Sequence, residues 1–162
     1  MSGTNIVSQK IIQIDPDQPF NPTEFIGKGW TIDEEDERDL SFAELDLSKI
    51  QFETCLKENE FVITGEEKLR RLKAMKVIRH GGNIFLALWQ DYKANNENSG
   101  LKWIYQNQGV THLDFFGLVM RNPVSFRHVP SFYWRSGRWF WRCLWLDRDW
   151  WRSNHPSAVS TK

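Results

Sequence analysis

Six of the nine tryptophans lie within the eighteen residues from Trp134 to Trp151, and arginines alternate with them. The tryptophans are Trp134, Trp139, Trp141, Trp145, Trp150 and Trp151, and the arginines are Arg135, Arg138, Arg142, Arg148 and Arg152. Trp is a large apolar side chain, and the Arg guanidinium stacks on its face. Such a segment indicates either a half-buried sheet with an exposed outer face or a binding surface. It predicts an architecture and a binding face, but no specific biochemical activity.

Ser136 and Gly137 separate two runs of alternating residues, which predicts a two-residue hairpin turn with positive φ at Gly137. This turn places Arg135 opposite Arg138, Trp134 opposite Trp139, Tyr133 opposite Phe140, and Phe132 opposite Trp141. Directly opposite side chains share a face. One face, the tryptophan face, then carries Phe132, Trp134, Trp139, Trp141, Cys143 and Trp145. The other, the Arg/aromatic face, carries Tyr133, Arg135, Arg138, Phe140, Arg142 and Leu144.

The two faces predict different environments. The tryptophan face has no charge and is expected to pack on helices, with each ring burying about 150–250 Å². On the other face, Arg135 opposite Arg138 is a mildly destabilising like-charge pair, which folding alone does not favour. That face is either solvated, with Arg stems covering aromatic rings, or a recognition surface, because Tyr, Trp and Arg dominate binding hot spots.

The net charge of zero hides a split between the two halves. Up to Leu69 there are 6 basic and 16 acidic residues, and from Arg70 onward 15 and 5, giving the 21 of each in the chain. The acidic half can dock on the basic half, which we favour for a single domain. Alternatively, a basic surface faces an acidic partner or nucleic acid.

Length and hydropathy predict a soluble globular protein. A chain of 162 residues with 40% hydrophobic content can bury a core. No apolar run approaches the roughly 18 residues of a membrane helix, and Met1 to Lys10 lack a signal-peptide core. We therefore expect a cytoplasmic protein that does not enter a membrane, with display at the surface or secretion by another route left open.

The pattern along the chain predicts an α+β fold, with short N-terminal helices packed on a four-stranded antiparallel meander that ends in the Trp-rich hairpin. Residues 1–24 are polar and proline-bearing and are expected to form an extended arm. Residues 25–162 then form a single domain, helical over 45–95 and β over 101–150. The predicted strands are 101–106, 113–121, 126–135 and 138–146.

The helical part has three predicted helices. Asp46 is expected to cap a short helix from Leu47 to Lys57, and a strand is expected over Glu60 to Ile63. Thr64-Gly65-Glu66-Glu67 is a capping box before a helix over 68–77, whose apolar stripe includes Leu69 and Leu72. Asn83 is expected to cap a further helix with Phe85, Trp89 and Tyr92 on one face.

Several chemical signatures are missing from the sequence. His80, His112, His128 and His155 lack a second ligand at metal-binding spacing, and no nucleophile elbow, P-loop or Rossmann fingerprint is present. His112 and Asp114 make a weak pair on one strand face. Asp147 and Asp149 are too close along the chain to straddle a sugar substrate. We predict no enzymatic activity, no metal and no cofactor.

Two further groups have structural interpretations. The acidic run Asp33 to Asp39 is expected to be a solvated loop or helix face, with a metal site as the alternative. Cys55 and Cys143 are expected to be free thiols, with a single disulfide bond between them as the alternative.

The chain resembles an uncharacterised family of small Trp-rich proteins from candidate-phyla bacteria. The matching segments are Gly29-Trp30, Leu45 to Lys49, Gly65 to Lys73, Leu88-Trp89, Tyr133-Trp134, Gly137 to Trp139, Trp141, Trp145-Leu146, Asp149-Trp150 and Pro156 to Val159. The chain departs from that family between Leu101 and Val129. Family members share the tryptophans and glycine of the C-terminal segment but differ at the positions between them.

This alternation resembles the variable region of target proteins of diversity-generating retroelements. The positions that would vary are Arg135, Ser136, Phe140, Arg142, Cys143, Leu144, Arg148, Trp151, Arg152, Ser153, Asn154 and His155. The resemblance implies a fixed scaffold that displays a variable ligand-binding face. Many such target proteins use a C-type lectin fold, which the residues of this chain do not require.

We therefore predict a non-enzymatic recognition protein that binds a protein or glycan ligand. Its predicted site comprises Tyr133, Arg135, Ser136, Arg138, Phe140, Arg142, Leu144, Arg148, Arg152, Ser153 and His155. One alternative is nucleic-acid binding by the basic half, where Arg70, Arg71, Lys73, Lys76 and Arg79 flank Gly81-Gly82 as in a helix-turn-helix. The other is a small inhibitor or regulator of another protein.

Overall fold

The computed structural model describes residues 10–147 and 150–161, with only the backbone of Trp150. The four α-helices are α1 (Pro22–Phe25), α2 (Gly65–Ala74), α3 (Gly82–Asn95) and α4 (Gly100–Gln108). The first six strands are β1 (Ile11–Gln13), β2 (Thr31–Glu35), β3 (Glu44–Asp46), β4 (Gln51–Glu53), β5 (Ile63–Thr64) and β6 (Ile78–Arg79). The last six are β7 (His112–Asp114), β8 (Leu118–Arg121), β9 (Arg127–Arg135), β10 (Arg138–Trp145), β11 (Trp150–Trp151) and β12 (Ser157–Ser160).

The fold is α+β, as predicted, but the four-stranded meander was wrong. An eight-stranded mixed sheet has the order β2-β8-β9-β7-β12-β4, with β10 also paired to β9 and β6 to β12. Strands β1 and β3 form one small sheet, and β5 and β11 another. Strands β4, β5 and β6 lie within the predicted helical part 45–95, and most of helix α4 lies within the predicted β part 101–150.

The predicted hairpin is confirmed in turn and register. Arg138 pairs with Arg135, Trp139 with Trp134, and Phe140 with Tyr133, and the pairing continues unbroken to Trp145 opposite His128. Ser136 and Gly137 have φ of 53° and 81°, as a type I′ turn requires. No bulge interrupts the two strands, so Cys143 stays on the tryptophan face.

The tryptophan face packs on helices α1, α3 and α4, as predicted. Trp139 is 1% exposed, and its Nε1 donates to the carbonyl of Leu101 at 3.0 Å. Trp134 stacks on Tyr105 with ring centroids 3.9 Å apart. Trp141 packs against Phe25 at 4.7 Å. These indoles join the hairpin to the helices in the larger of two apolar clusters.

The opposite side of the sheet is covered only over part of its length. Leu69 and Leu72 of α2, with Trp151 of β11, bury Val129 and Leu144 at the end of the hairpin remote from its turn. This second cluster leaves the end of the Arg/aromatic face near the turn uncovered.

The strand predicted at 101–106 is helix α4. Leu101 and Ile104 are buried three positions apart, and the Ser99 hydroxyl accepts from the Lys102 amide at 3.2 Å. Gly109, with φ of 66°, ends the helix. The apolar pattern Leu101-x-Trp103 suits a strand locally, but contact with α3 selects a helical face.

The helix predicted over 47–57 was also wrong. A 3₁₀ turn, Leu47–Lys49, with Asp46 capping the Ser48 amide at 3.0 Å, leads directly into β4, which pairs with β12. Cys55 has a φ of 63°, which a helix interior excludes.

Two predicted caps have different outcomes. The Thr64 hydroxyl accepts from the Glu67 amide at 3.1 Å, as predicted, whereas the Glu67 carboxylate binds Arg71 at 2.7 Å instead of reaching back. Asn83 does not cap α3, because its Oδ1 accepts from the Phe20 amide at 2.9 Å.

The predicted strand 113–121 is interrupted at Gly117. The Gly117 amide donates to the His80 carbonyl at 2.8 Å, and a Cβ on Gly117 would lie 2.1 Å from the Arg79 carbonyl oxygen. This close approach separates β7 from β8. Within residues 1–24, predicted as an extended arm, Ile12, Ile14 and Phe20 pack in the core.

The acidic half docks on the basic half through the run Asp33 to Asp39. The solvated loop or helix face expected for this run is confirmed only in part, because Asp33 and Glu37 are exposed whereas Asp36 and Asp39 are 5% and 2% exposed. Asp39 bonds to His80 Nδ1 at 2.7 Å. Glu34 pairs with Lys73 at 2.5 Å, and Asp33 binds Arg121 at 2.8 Å.

Three absences concern only the described residues. They contain no cluster of three His, Cys, Asp or Glu side chains able to hold a metal ion. None of their helices is long and apolar enough to cross a bilayer. Both cysteines are free thiols, so the disulfide alternative was wrong.

Candidate functional site

The uncovered part of the Arg/aromatic face is a stack in which two aromatic rings lie between two guanidinium groups. The Arg138 Cζ lies 4.7 Å from the centroid of the Phe140 ring, which stacks on Tyr133 at 5.4 Å. The Arg142 Cζ lies 4.6 Å from the Tyr133 centroid. These four side chains come from neighbouring pairs of one hairpin, so the strand pairing itself fixes their order. Each cation–π contact orients a guanidinium without neutralising it.

The described arginines on and near this face differ from the other described arginines in lacking a carboxylate partner. Six described arginines contact a carboxylate: Arg38, Arg70, Arg71, Arg79, Arg121 and Arg127. Within the described part of the chain, Arg135, Arg138, Arg142 and Arg152 contact none. The docking of the acidic half therefore leaves this surface positively charged.

Arg142 also ends a row of polar residues that crosses five strands. The register pairs Glu53 with Ser157, Ser157 with Asp114, Asp114 with Ser131, and Ser131 with Arg142. We call these five residues the polar row. Paired residues share a face of the sheet, so the row lies at the inner edge of the Arg/aromatic face. Sequence analysis missed this row, because each strand contributes a single polar residue to it.

Asp114 is the buried centre of the polar row. It is fully buried and accepts a hydrogen bond from the Ser131 hydroxyl at 2.5 Å and another from Trp151 Nε1. Two donors and a nearby cation satisfy a buried carboxylate. Of the weak His112–Asp114 pair noted in the sequence, Asp114 belongs to a buried hydrogen-bond network. Its hydrogen-bond donors, Ser131 and Trp151, come from other strands.

Lys68 supplies the cation from helix α2. It is fully buried, and its Nζ donates to the His155 carbonyl at 2.6 Å. Burial lowers the pKa of Lys68 to about 8, against the opposing effect of Asp114. The amine fixes the segment that carries His155 against the sheet.

Two histidines extend the row of stacked rings beyond Tyr133, beside the polar row. His112 pairs with Tyr133 in the sheet, and the His112 and His155 rings stack with centroids 4.3 Å apart. Burial, and next the charge of Arg142, lower the pKa of His112. Burial also lowers the pKa of His155, with His112, Arg142 and Lys68 adding to the effect and Asp114 opposing it. Both imidazoles are therefore neutral at pH 7.

The structure brings most of the predicted site together. Arg135, Ser136, Arg138, Arg152 and Ser153 are exposed, and Tyr133, Phe140, Arg142 and His155 are partly buried. Leu144 is a correction, because it is 8% exposed and packs in the second cluster. Arg148 lies outside the described residues.

The side chains that suggested a helix-turn-helix are mostly engaged elsewhere. Arg71 binds Glu60 at 2.6 Å, Lys73 binds Glu34, and Arg79 lies 3.7 Å from Asp36. Strand β6 also separates α2 from α3. This region presents ion pairs where DNA binding needs free cations.

A groove of about 800 Å³ lies elsewhere, between α1, β2 and α3. Its lining includes Asp17, Phe25, Trp30, Leu86 and Gln90. Phe25 packs against Trp141 of the tryptophan face, so the groove and the Arg/aromatic face lie on different sides of the sheet.

The candidate site is thus a cationic, aromatic surface with a polar inner edge, suited to binding anionic or aromatic groups. Comparison of the chain with known protein families, curated proteins and solved structures finds no match to any of them.

Proposed function

We propose that this protein is a non-enzymatic recognition protein that binds a protein partner through its Arg/aromatic face. The observation that carries the proposal is the selective lack of carboxylate partners for the arginines of this face, in a chain whose other described arginines all have one. An arginine held by an aromatic ring and free of a counter-ion keeps its hydrogen-bonding edge for a ligand.

The face is also rigid, which favours binding. The reverse side of the hairpin is anchored by Trp139 and Trp141 in the main cluster, so the strands lose little entropy when a partner docks. Tyr and Arg side chains, which predominate here, are enriched in binding hot spots.

A protein partner suits this surface better than a nucleic acid. The net charge of the chain is zero, and Arg70, Arg71, Lys73 and Arg79 contact carboxylates. Affinity for nucleic acid depends on many simultaneous phosphate contacts, whereas a hot spot needs only a few buried anchors.

We further propose that the face is the variable region of a diversity-generating system. Of the positions that the resemblance marks as variable, Phe140, Arg142 and His155 meet at the site, and Arg135, Arg152 and Ser153 are exposed beside it. Cys143, Leu144 and Trp151 face the two apolar clusters, where substitution would be restricted to apolar residues. A reverse-transcriptase gene and a near-identical repeat of the C-terminal coding region beside this gene would support the proposal, and their absence would contradict it.

The proposed function predicts that Phe140→Ala with Arg142→Ala abolishes partner binding and changes the melting temperature by no more than a few degrees, since both side chains are only partly buried. Phe61→Ala with Arg70→Ala is a matched control, because these residues are 85% and 66% exposed and lie outside the face. Photocrosslinking capture from host lysate, compared among the wild type and both double variants, measures the loss.

The control pair should retain every partner captured by the wild type. Equal capture by all three proteins would show that the face does not bind. Unfolding of the Phe140/Arg142 variant would show instead that the face is structural.

A further inference from the structure

We infer that Arg142 is the anchor for an acidic side chain of the protein partner, and that His112 and His155 complete this carboxylate subsite. The inference rests on the proposed function and names the ligand chemistry at one point of the proposed face.

The guanidinium of Arg142 is held in place but lacks an acceptor. Tyr133 fixes its plane from one side, and its Nε is buried without a hydrogen-bond partner among the described residues. A buried donor without an acceptor is rare in folded proteins, because the lost hydration is not replaced. Because Nε is already covered, a partner's acceptor binds at the outer guanidinium nitrogens of Arg142, which are not among the buried unpartnered atoms of the described residues.

The surrounding charges favour a single negative charge. At the buried centre of the polar row, the positive charge of Lys68 and the negative charge of Asp114 offset one another. His112, which pairs with Tyr133 in the sheet, stacks on His155, and after burial the charge of Arg142 also lowers the pKa of both neutral imidazoles. Glu53 lies at the far end of the polar row, four strands away from Arg142. The subsite therefore carries about one uncompensated positive charge.

The shape of the site distinguishes a carboxylate from a phosphate. The planar edge of Arg matches the two oxygens of a carboxylate. Tyr133 covers one face of the Arg142 guanidinium. The exposed Arg138 lies four residues nearer the turn, where it contacts the Phe140 ring. A phosphate dianion would need a second cation close to Arg142. Arg135 and Arg138 lie nearer the turn of the hairpin, and Lys68 is buried and already donates to the His155 carbonyl.

The test uses two blocked tripeptides, acetyl-Gly-Glu-Gly-amide and its Gln counterpart, with inorganic phosphate as a third probe at equal ionic strength. NMR titrations follow the imidazole resonances of His112 and His155 in the full chain. The Glu peptide should raise the pKa of both histidines, because a bound carboxylate stabilises the imidazolium. The Gln peptide should not.

Asp114 and Lys68 also act on these histidines, so variants are needed to assign the effect to Arg142. Arg142→Gln should weaken binding of the Glu peptide by roughly tenfold or more. Arg138→Gln, which removes the exposed neighbour, should change it by only about twofold.

An equal response to the Gln peptide, a stronger response to phosphate, or an undiminished response in Arg142→Gln would overturn the carboxylate subsite. If these outcomes occur while the Phe140/Arg142 double alanine variant still loses its captured partner, the subsite fails and the proposed function stands. If that double variant keeps the partner, the proposed function fails regardless of the peptide result.

Discussion

Lys68 places an amine in the core beside Asp114, and its partners show why a buried charge is tolerated there. The Nζ donates to the His155 carbonyl, lies 5.4 Å from the centroid of the Phe116 ring, and is attracted by the Asp114 carboxylate. These interactions offset part of the desolvation that lowers its pKa to about 8.

This pKa gives a signed prediction for Lys68→Met. Between pH 8 and the ordinary value of 10.5 the unfolded chain binds more protons at Lys68 than the folded chain, so this group adds stability as pH rises. The free energy of unfolding of the wild type should rise relative to Lys68→Met by about 3 kcal/mol across this window. Urea denaturation of both proteins at several pH values measures this difference in the free energy of unfolding.

The comparison with Lys68→Met cancels the opposite effect of Cys143, and it cancels that of Cys55 except for the part that the charge of Lys68 contributes. Burial raises the pKa of Cys55 to about 11 and of Cys143 to about 12, so both groups reduce stability as pH rises above 9 in both proteins. A difference that stays constant from pH 7.5 to 10.5 would contradict the buried, proton-releasing amine.

At the scale of the element, the β9–β10 hairpin combines local and tertiary determinants. Its turn comes from Ser136 and Gly137, whose φ values are positive. Its two faces meet different surroundings, because α1, α3 and α4 cover one and α2 covers only the end of the other remote from the turn. The uncovered segment is where the stacked arginines lie.

Two substitutions in the turn should have opposite effects on stability. Ser136→Asn should stabilise by about 0.5 kcal/mol, because Asn accepts the left-handed conformation more readily than Ser. Gly137→Ala should destabilise by about 1 kcal/mol, because its φ is 81°. Since a Cβ at Gly137 would contact nothing within 4 Å, the effect is one of backbone alone. Thermal unfolding of both variants tests the turn type. If both melt at the temperature of the wild type, the turn type is contradicted.

At the scale of the whole molecule, ion pairs join the acidic N-terminal half to the sheet and to α2. Arg127 in β9 contacts Asp33 and Glu34 of β2 and also Glu66 of α2. Hydrogen bonds from Arg121 lower the pKa of Asp33, and bonds from Arg38 and the Arg79 amide lower that of Asp36 against the effect of burial. These carboxylates stabilise the fold only while ionised.

Asp36→Asn tests this docking. Asp36 is buried and accepts from the Arg79 amide at 2.9 Å, and the Arg79 guanidinium is itself mostly buried. Loss of the Asp36 charge should lower the free energy of unfolding by about 3 kcal/mol at pH 7. Because the folded pKa of Asp36 is lowered, its contribution is present above the unfolded value of 3.8 and disappears as pH falls through the folded pKa.

The stability gap between wild type and Asp36→Asn should therefore narrow as pH falls below 3.8. Guanidinium denaturation at pH 7 and near pH 3 measures the gap, and the exposed Asp17→Asn serves as the control with no expected change. A gap that is independent of pH would show that Asp36 acts through packing alone.

The sequence was sufficient wherever the determining interaction is local. The turn at Ser136-Gly137, the register that follows from it, the cap of α2 by Thr64 and the buried stripe of Leu69 and Leu72 all depend on residues a few positions apart. The α+β class and the separation of the hairpin into two faces follow from periodicity, which is also a local property.

Tertiary structure decided the rest, because the deciding partners are far apart in the chain. Residues 101–106 form a helix that buries Leu101 and Ile104 in the core between the Ser99 cap and Gly109, and residues 51–53 form a strand by pairing with β12. The polar row needs five strands to bring Glu53, Ser157, Asp114, Ser131 and Arg142 into register. Among the described residues, only the folded molecule shows which arginines contact carboxylates and which do not.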